Sequence, residues 1–188
     1  MDDQTDGSGA GAVSRSPDPV AEASAYQRML LGLVGDDDPA EVQAATPARV
    51  KALLERAGPK LSTRPAEREW SVLELLGHLA DAELVVSARY RWALCEEEPP
   101  LLPYDQDRWV AGLRHNDDDP SEVLDEFATL RRANLGLWSR LSEPQRNRLG
   151  RHAERGPESV DMMFRMLAGH DRFHLEQMAR TLEQVRNR

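Results

Sequence analysis

The chain has a single cysteine, few aromatic residues, no excess of basic side chains and no long apolar run, and each shortage removes a class of function. One cysteine cannot form an internal disulfide, so a disulfide-stapled scaffold is excluded and a reducing, cytoplasmic setting is expected. That residue, Cys95, is followed by Glu96, Glu97 and Glu98, which disfavour a thiolate, and it is set aside as incidental. With a net charge of −9 the protein lacks the basic stripe that neutralises phosphates, so no nucleic-acid partner is expected. No segment approaches the ~20 apolar residues of a membrane span. The acidic N-terminus carries no hydrophobic stretch of a signal peptide, so neither membrane insertion nor export is expected. The sequence also has no Cys-x-x-Cys pair, no Gly-rich phosphate loop, no Gly-x-Ser-x-Gly elbow and no His-Glu-x-x-His motif.

What is there suffices for one hydrophobic core and not for two: 188 residues, 40% of them hydrophobic. Residues 1–19 are Gly, Ser, Asp and Pro with almost nothing to bury, and read as a disordered tail before a single domain over 20–188. The rest is helical in pattern, with little strand-like alternation. A first helix is expected from about Pro19 to Val34. A short one follows from Asp38-Pro39-Ala40-Glu41, with Asp38 as cap, and another opens at Thr46-Pro47 and stops at Gly58-Pro59. Ser71 caps a long helix to about Glu96, with Leu75, Leu79, Val85, Val86 and Trp92 among its apolar positions. Residues 97–119 form a long connection, which in compact domains is a functional cover or poorly ordered. Asp119-Pro120 starts a helix whose inner side reads Val123, Phe127, Leu130, Leu137, Trp138 and Leu141. After a polar loop, the last helix runs from about Ser159 with the stripe Met163, Leu167, His170, His174, Met178, Leu182, Val185. These elements predict an all-α antiparallel four-helix bundle with extra short N-terminal helices.

Two of the five histidines, His170 and His174, stand one helical turn apart inside that apolar stripe, so both imidazoles can reach one ion. Spacing alone also fits a hydrogen-bonded core pair. A third imidazole is available from His78, placed among Leu75, Leu79 and Ala82. Asp81, one turn on, is positioned to orient it, as metal-bound histidines require. Arg89 lies about three turns beyond His78, near the same direction; Asp81 and Arg89 could equally form a structural ion pair. The remaining histidines, His115 and His152, fall in connections and are expected to be solvated.

Several segments resemble one family. They are Glu69-Trp70-Ser71-Val72, Gly77-His78-Leu79-Ala80-Asp81-Ala82-Glu83, Glu97-Glu98-Pro99-Pro100, Pro103-Tyr104-Asp105-Gln106-Asp107-Arg108-Trp109, Arg151-His152-Ala153-Glu154-Arg155-Gly156 and the His170–His174 pair. In that order and spacing they resemble the DinB/YfiT-like superfamily of metal-dependent hydrolases, which includes the bacillithiol transferases. The resemblance implies a four-helix bundle, a mononuclear centre on His78, His170 and His174, a cytoplasmic location and a homodimer. Some members of that family use the metal to activate a low-molecular-weight thiol. Others are called hydrolases on the strength of the site alone.

Three imidazoles leave a divalent ion with an open position, which is the catalytic and not the structural arrangement; zinc and nickel both suit such ligands. The first expectation is a metal-dependent thiol S-transferase acting on a small electrophile, with a low-molecular-weight thiol as cosubstrate. Asp81 would steady His78, and Arg89 or Tyr104 would hold an anionic group. The alternatives are a hydrolase that puts water in place of the thiol, and a non-catalytic metal-binding stress-response protein.

Overall fold

Most of the longer helices in this protein start at side chains that satisfy otherwise unpaired backbone amides. In the computed structural model, which describes Pro17, Asp18 and residues 21–188, helix α1 spans Ala23–Val34. Apart from Pro17 and Asp18, the expected 1–19 tail lies outside the described residues, as does the expected start of α1 at Pro19. Asp38 accepts from Ala40 N–H to open α2, Pro39–Ala57. Ser71 and Glu74 form a reciprocal capping box at the head of α3, Val72–Cys95. Strand β1, Pro100–Leu101, and helix α4, Gln106–Leu113, follow. Asp119 accepts from the amides of Ser121 and Glu122 to start α5, Pro120–Trp138. The one-turn helix α6, Glu143–Arg146, leads to strands β2, Leu149–His152, and β3, Gly156–Ser159. Ser159 then caps α7, Val160–Arg186.

The bundle is made by α2, α3, α5 and α7: α3 packs against α5 and α7, and so does α2. Its core joins Val50, Leu53 and Leu54 of α2, Leu75, Leu76 and Leu79 of α3, Phe127 of α5, and Leu175, Met178 and Leu182 of α7. Full burial of each leucine is worth about 1.5–3 kcal/mol over exposure. Helix α1 lies along α7, and the two backbones touch at Gly169, where an added Cβ would sit 2.0 Å from the Leu30 carbonyl oxygen. Every residue from Val72 to Glu83 is buried, so the first half of α3 is enclosed on all sides and not amphipathic. No helix among the described residues is long and apolar enough to cross a membrane.

The structure departs from the sequence pattern at five places. The two helices expected around Thr46-Pro47 are one, with Pro47 in its interior. Proline cannot donate to the carbonyl four residues back, and here the Gln43 oxygen accepts from Arg131 Nη1 at 2.9 Å instead. The inner face of α5 buries Phe127, Arg131 and Asn134, with Leu130 only half-buried. Trp92 is exposed. The 97–119 connection is ordered into β1 and α4. The polar loop after Ser142 folds into a hairpin, with β2 antiparallel to β3 and parallel to β1.

Candidate metal centre

His78 projects from the enclosed half of α3, and His170 and His174 from successive turns of α7, the helix packed against it. Their Nε2 atoms converge: His78 lies 3.0 Å from His170 and 3.2 Å from His174. One ligand atom from each ring falls within a 4.8 Å cluster, and among the described residues it is the one group of three or more such side chains arranged this way. The Trp70 ring closes one side, its centroid 4.9 Å from that of His78 and 6.4 Å from that of His174. On another side His170 lines a cavity of about 600 Å³.

Burial keeps these rings neutral. Loss of solvation, then the neighbouring histidines, drives His78 and His170 well below the usual imidazole value. Loss of solvation takes His174 down to about 4, against a smaller opposing effect of Gln177. The Gln177 Oε1 atom, 2.9 Å from His174 Nδ1, can only accept, so Nδ1 carries that ring's proton and Nε2 turns a lone pair inward. With His78 Nδ1 and His170 Nδ1 buried and unpartnered, three ring nitrogens crowd one point without enough protons to satisfy each other. A cation resolves that conflict. Metal–nitrogen bonds of ~2.0–2.1 Å in near-tetrahedral array place ligand nitrogens about 3.3 Å apart, close to the spacing here. The residues present therefore fit a first-row divalent ion, and ligand type does not separate zinc from nickel.

The other expected site residues are distributed differently. Asp81 does not hold His78: its carboxylate accepts from His115 Nε2 at 2.9 Å. His115 is accordingly buried, not solvated, and its Nδ1 meets Asp118 at 2.7 Å. Burial pulls its pKa down, but the two carboxylates outweigh that and leave it raised. What admits the ring is Gly77, where an added Cβ would lie 2.3 Å from the His115 ring. Arg89 makes no pair with Asp81. It donates through Nη2 to the Leu102 carbonyl and lies 3.5 Å from His152 Nε2. Arg89, Tyr104 and His152 all line the cavity reached from His170. His152 is thus a buried residue of β2 and not a loop histidine in solvent; desolvation, with Arg155 and Arg89 nearby, lowers it to about 4.

One cluster had no signal in the pattern. Arg131 of α5 is buried between Glu83 of α3, accepting at Oε2 2.7 Å away, and Asp171 of α7, accepting at 2.5 and 3.0 Å. Asn134 and Thr46 complete the set, on Glu83 and Asp171 respectively. Burial works against the Arg131 charge, but Asp171 and Glu83 prevail and hold its pKa above the usual value. The arginine clamps the two helices that carry the histidines, and Asp171 adjoins His170 in sequence.

A sequence profile described as the DinB superfamily matches residues 40–178. A protein of Oceanobacillus iheyensis bearing the name "putative metal-dependent hydrolase" is 29% identical over 117 residues, 62% of this chain and 67% of that protein. The Bacillus subtilis protein YfiT, which bears the same designation, is 29% identical over 102 residues, 54% of this chain and 55% of that one. The chain thus spans about two thirds or less of these relatives' length. The solved structure of YfiT is described as a probable metal-dependent hydrolase with an unusual four-helix bundle topology. It matches with a TM-score of 0.71 at 24% identity, covering 79% of this chain and 85% of that one. At that identity the likeness establishes the four-helix bundle fold.

Proposed function

The chain belongs to the DinB superfamily, and on that premise we propose that it is a metal-dependent thiol S-transferase acting on small electrophiles. The observation that supports this most is the convergence of three buried, neutral imidazoles beside a cavity large enough for a small molecule. A divalent ion there supplies positive charge that favours the deprotonated form of a nearby thiol or water.

The protein's own side chains set the conditions for that chemistry. Burial holds the three rings unprotonated, ready as donors. Trp70 packs against one side of the rings, and the cavity meets them on the His170 side. Tyr104 stays protonated, because burial and then Asp81 raise its pKa, so its hydroxyl is a hydrogen-bond donor at the cavity wall.

The relatives' names favour a second reading, metal-dependent hydrolysis. The carboxylates that flank the ligands in sequence weigh against it. Asp81 is committed to His115 and Asp171 to Arg131, so neither is free as a general base. A thiol, with an ordinary pKa of about 8.5, needs less help to lose its proton than water does.

The test is conjugation of a model electrophile with and without a low-molecular-weight thiol, beside elemental analysis of untagged protein. Conjugation that needs both thiol and metal, and a metal content that falls at least tenfold in His170→Ala, is expected. Turnover of an ester without thiol favours the hydrolase. Metal content unchanged in the variant removes the site.

A further inference from the structure

The cavity beside the three histidines has a polar floor that the metal chemistry leaves unused. Arg89 is 6% exposed, and among the described residues no carboxylate pairs with it. Its partners are uncharged: the Leu102 carbonyl and, at 3.5 Å, a histidine that burial keeps neutral. Its Nε atom is buried with no acceptor. A guanidinium taken out of water without a directly paired counter-charge is strongly disfavoured. Among the described residues the other buried arginine, Arg131, is fully paired, while Glu158, which reaches Arg89 only at longer range, is paired with Arg155 across the cavity.

The surroundings narrow what could neutralise Arg89. The walls are apolar, from Leu30, Val86, Met163, Met166 and Leu167. Two phenol groups, Tyr26 and Tyr104, line the same space and remain protonated, Tyr26 pushed up to about 12 by burial. Of the acids at the cavity, Glu158 is buried and paired with Arg155, while Asp18, Asp105, Asp107 and Glu154 are exposed at the rim and repel a molecule of high negative charge. Length follows from the helix. Eleven residues, roughly 16 Å of axis, separate His78 from Arg89. The arginine leans back towards the N-terminus, as helical side chains do, leaving a gap on the order of 10 Å between its head and the histidines.

We propose that the cavity binds an extended small molecule with one carboxylate end on Arg89 and the phenols, an apolar body along α7, and its reactive end at the three-histidine centre. This deepens the proposed function and rests on its reading of the cavity as the substrate site. The wall includes Tyr26 and Leu30 of α1, which precedes the stretch matched to the superfamily.

Octanoate, octanol and suberate titrated into chelator-treated full-length protein test it by calorimetry. Octanoate is expected to bind at least tenfold more tightly than octanol, with suberate weaker than octanoate because its second carboxylate would be buried among the metal-free, uncharged histidines. Arg89→Gln should bring octanoate to the level of octanol, and the Arg89 Nε–H resonance of the unmodified protein should move as octanoate saturates. Equal affinity for octanoate and octanol, or an unmoved Nε–H resonance, overturns the proposal whatever the fate of the variant. Octanoate binding retained in His174→Ala, together with absent thiol conjugation in the parent, sinks the transferase reading and leaves the carboxylate site standing.

Discussion

Two buried polar clusters lie side by side on α3 and α7, and they are built on opposite principles. In the first, Arg131, Glu83 and Asp171 bring full charges out of water and match them with ion pairs, Asn134, Thr46 and a backbone carbonyl. In the second, His78, His170 and His174 bring neutral rings together and leave two of their nitrogens unpartnered. Adjacent residues, His170 and Asp171, belong to one cluster each, pointing to different sides of α7. A completed network holds helices in register; an incomplete one has room for something that is not protein.

The comparison breaks most readily at its charged half. Arg131→Met leaves Glu83 and Asp171 buried without a counter-charge and should destabilise the protein by about 3–5 kcal/mol in chemical denaturation. If stability falls by less than 1 kcal/mol, the network is not what binds α3 to α7.

The neutral half has its own signature, in acid. The folded-state pKa of His174 is depressed to about 4 from an unfolded value of 6.5, and His78 and His170 lie well below it. Below pH 6.5 the unfolded chain takes up protons that the folded chain refuses, so stability is full above 6.5 and drains as pH falls towards 4. His174 alone accounts for about 3 kcal/mol across that window in metal-free protein. Thermal midpoints between pH 7.5 and 4.5 check this, and a flat profile would mean the rings are solvated.

Gly77→Ala sharpens the contrast from outside both clusters. The new Cβ meets the His115 ring and should cost about 1–3 kcal/mol through overpacking. Because Asp81 belongs to His115 and not to His78, metal content should stay at the parental level, measured on folded variant protein. A parallel loss of metal would tie the His115 contact to the centre.

Much of this was legible before any coordinates. Caps at Ser71 and Asp119 marked two of the long helices, and the two histidines in the apolar stripe of α7 pointed at a third on another helix. The structure brings those three together. Arg131 was not legible, since an arginine within a helical pattern reads as an outward residue and only tertiary pairing makes it an inward one. His115 and His152 were misplaced for a related reason: a connection is taken as solvated until a glycine such as Gly77, or a strand pairing such as β1 with β2, presses it onto a helix. Asp81 faced the right way for His78 by helical geometry, yet a ring from a distant segment reached it first.

Pro47 carries a lesson for engineering. Interior prolines are natural targets for anyone hoping to firm up a helix, and alanine at 47 would restore the amide that the ring removes. That amide would compete with Arg131 for the Gln43 oxygen, so a better local helix would weaken the clasp between neighbouring ones. Here a flaw in one segment is the socket for another, and repairing it in isolation undoes the fit.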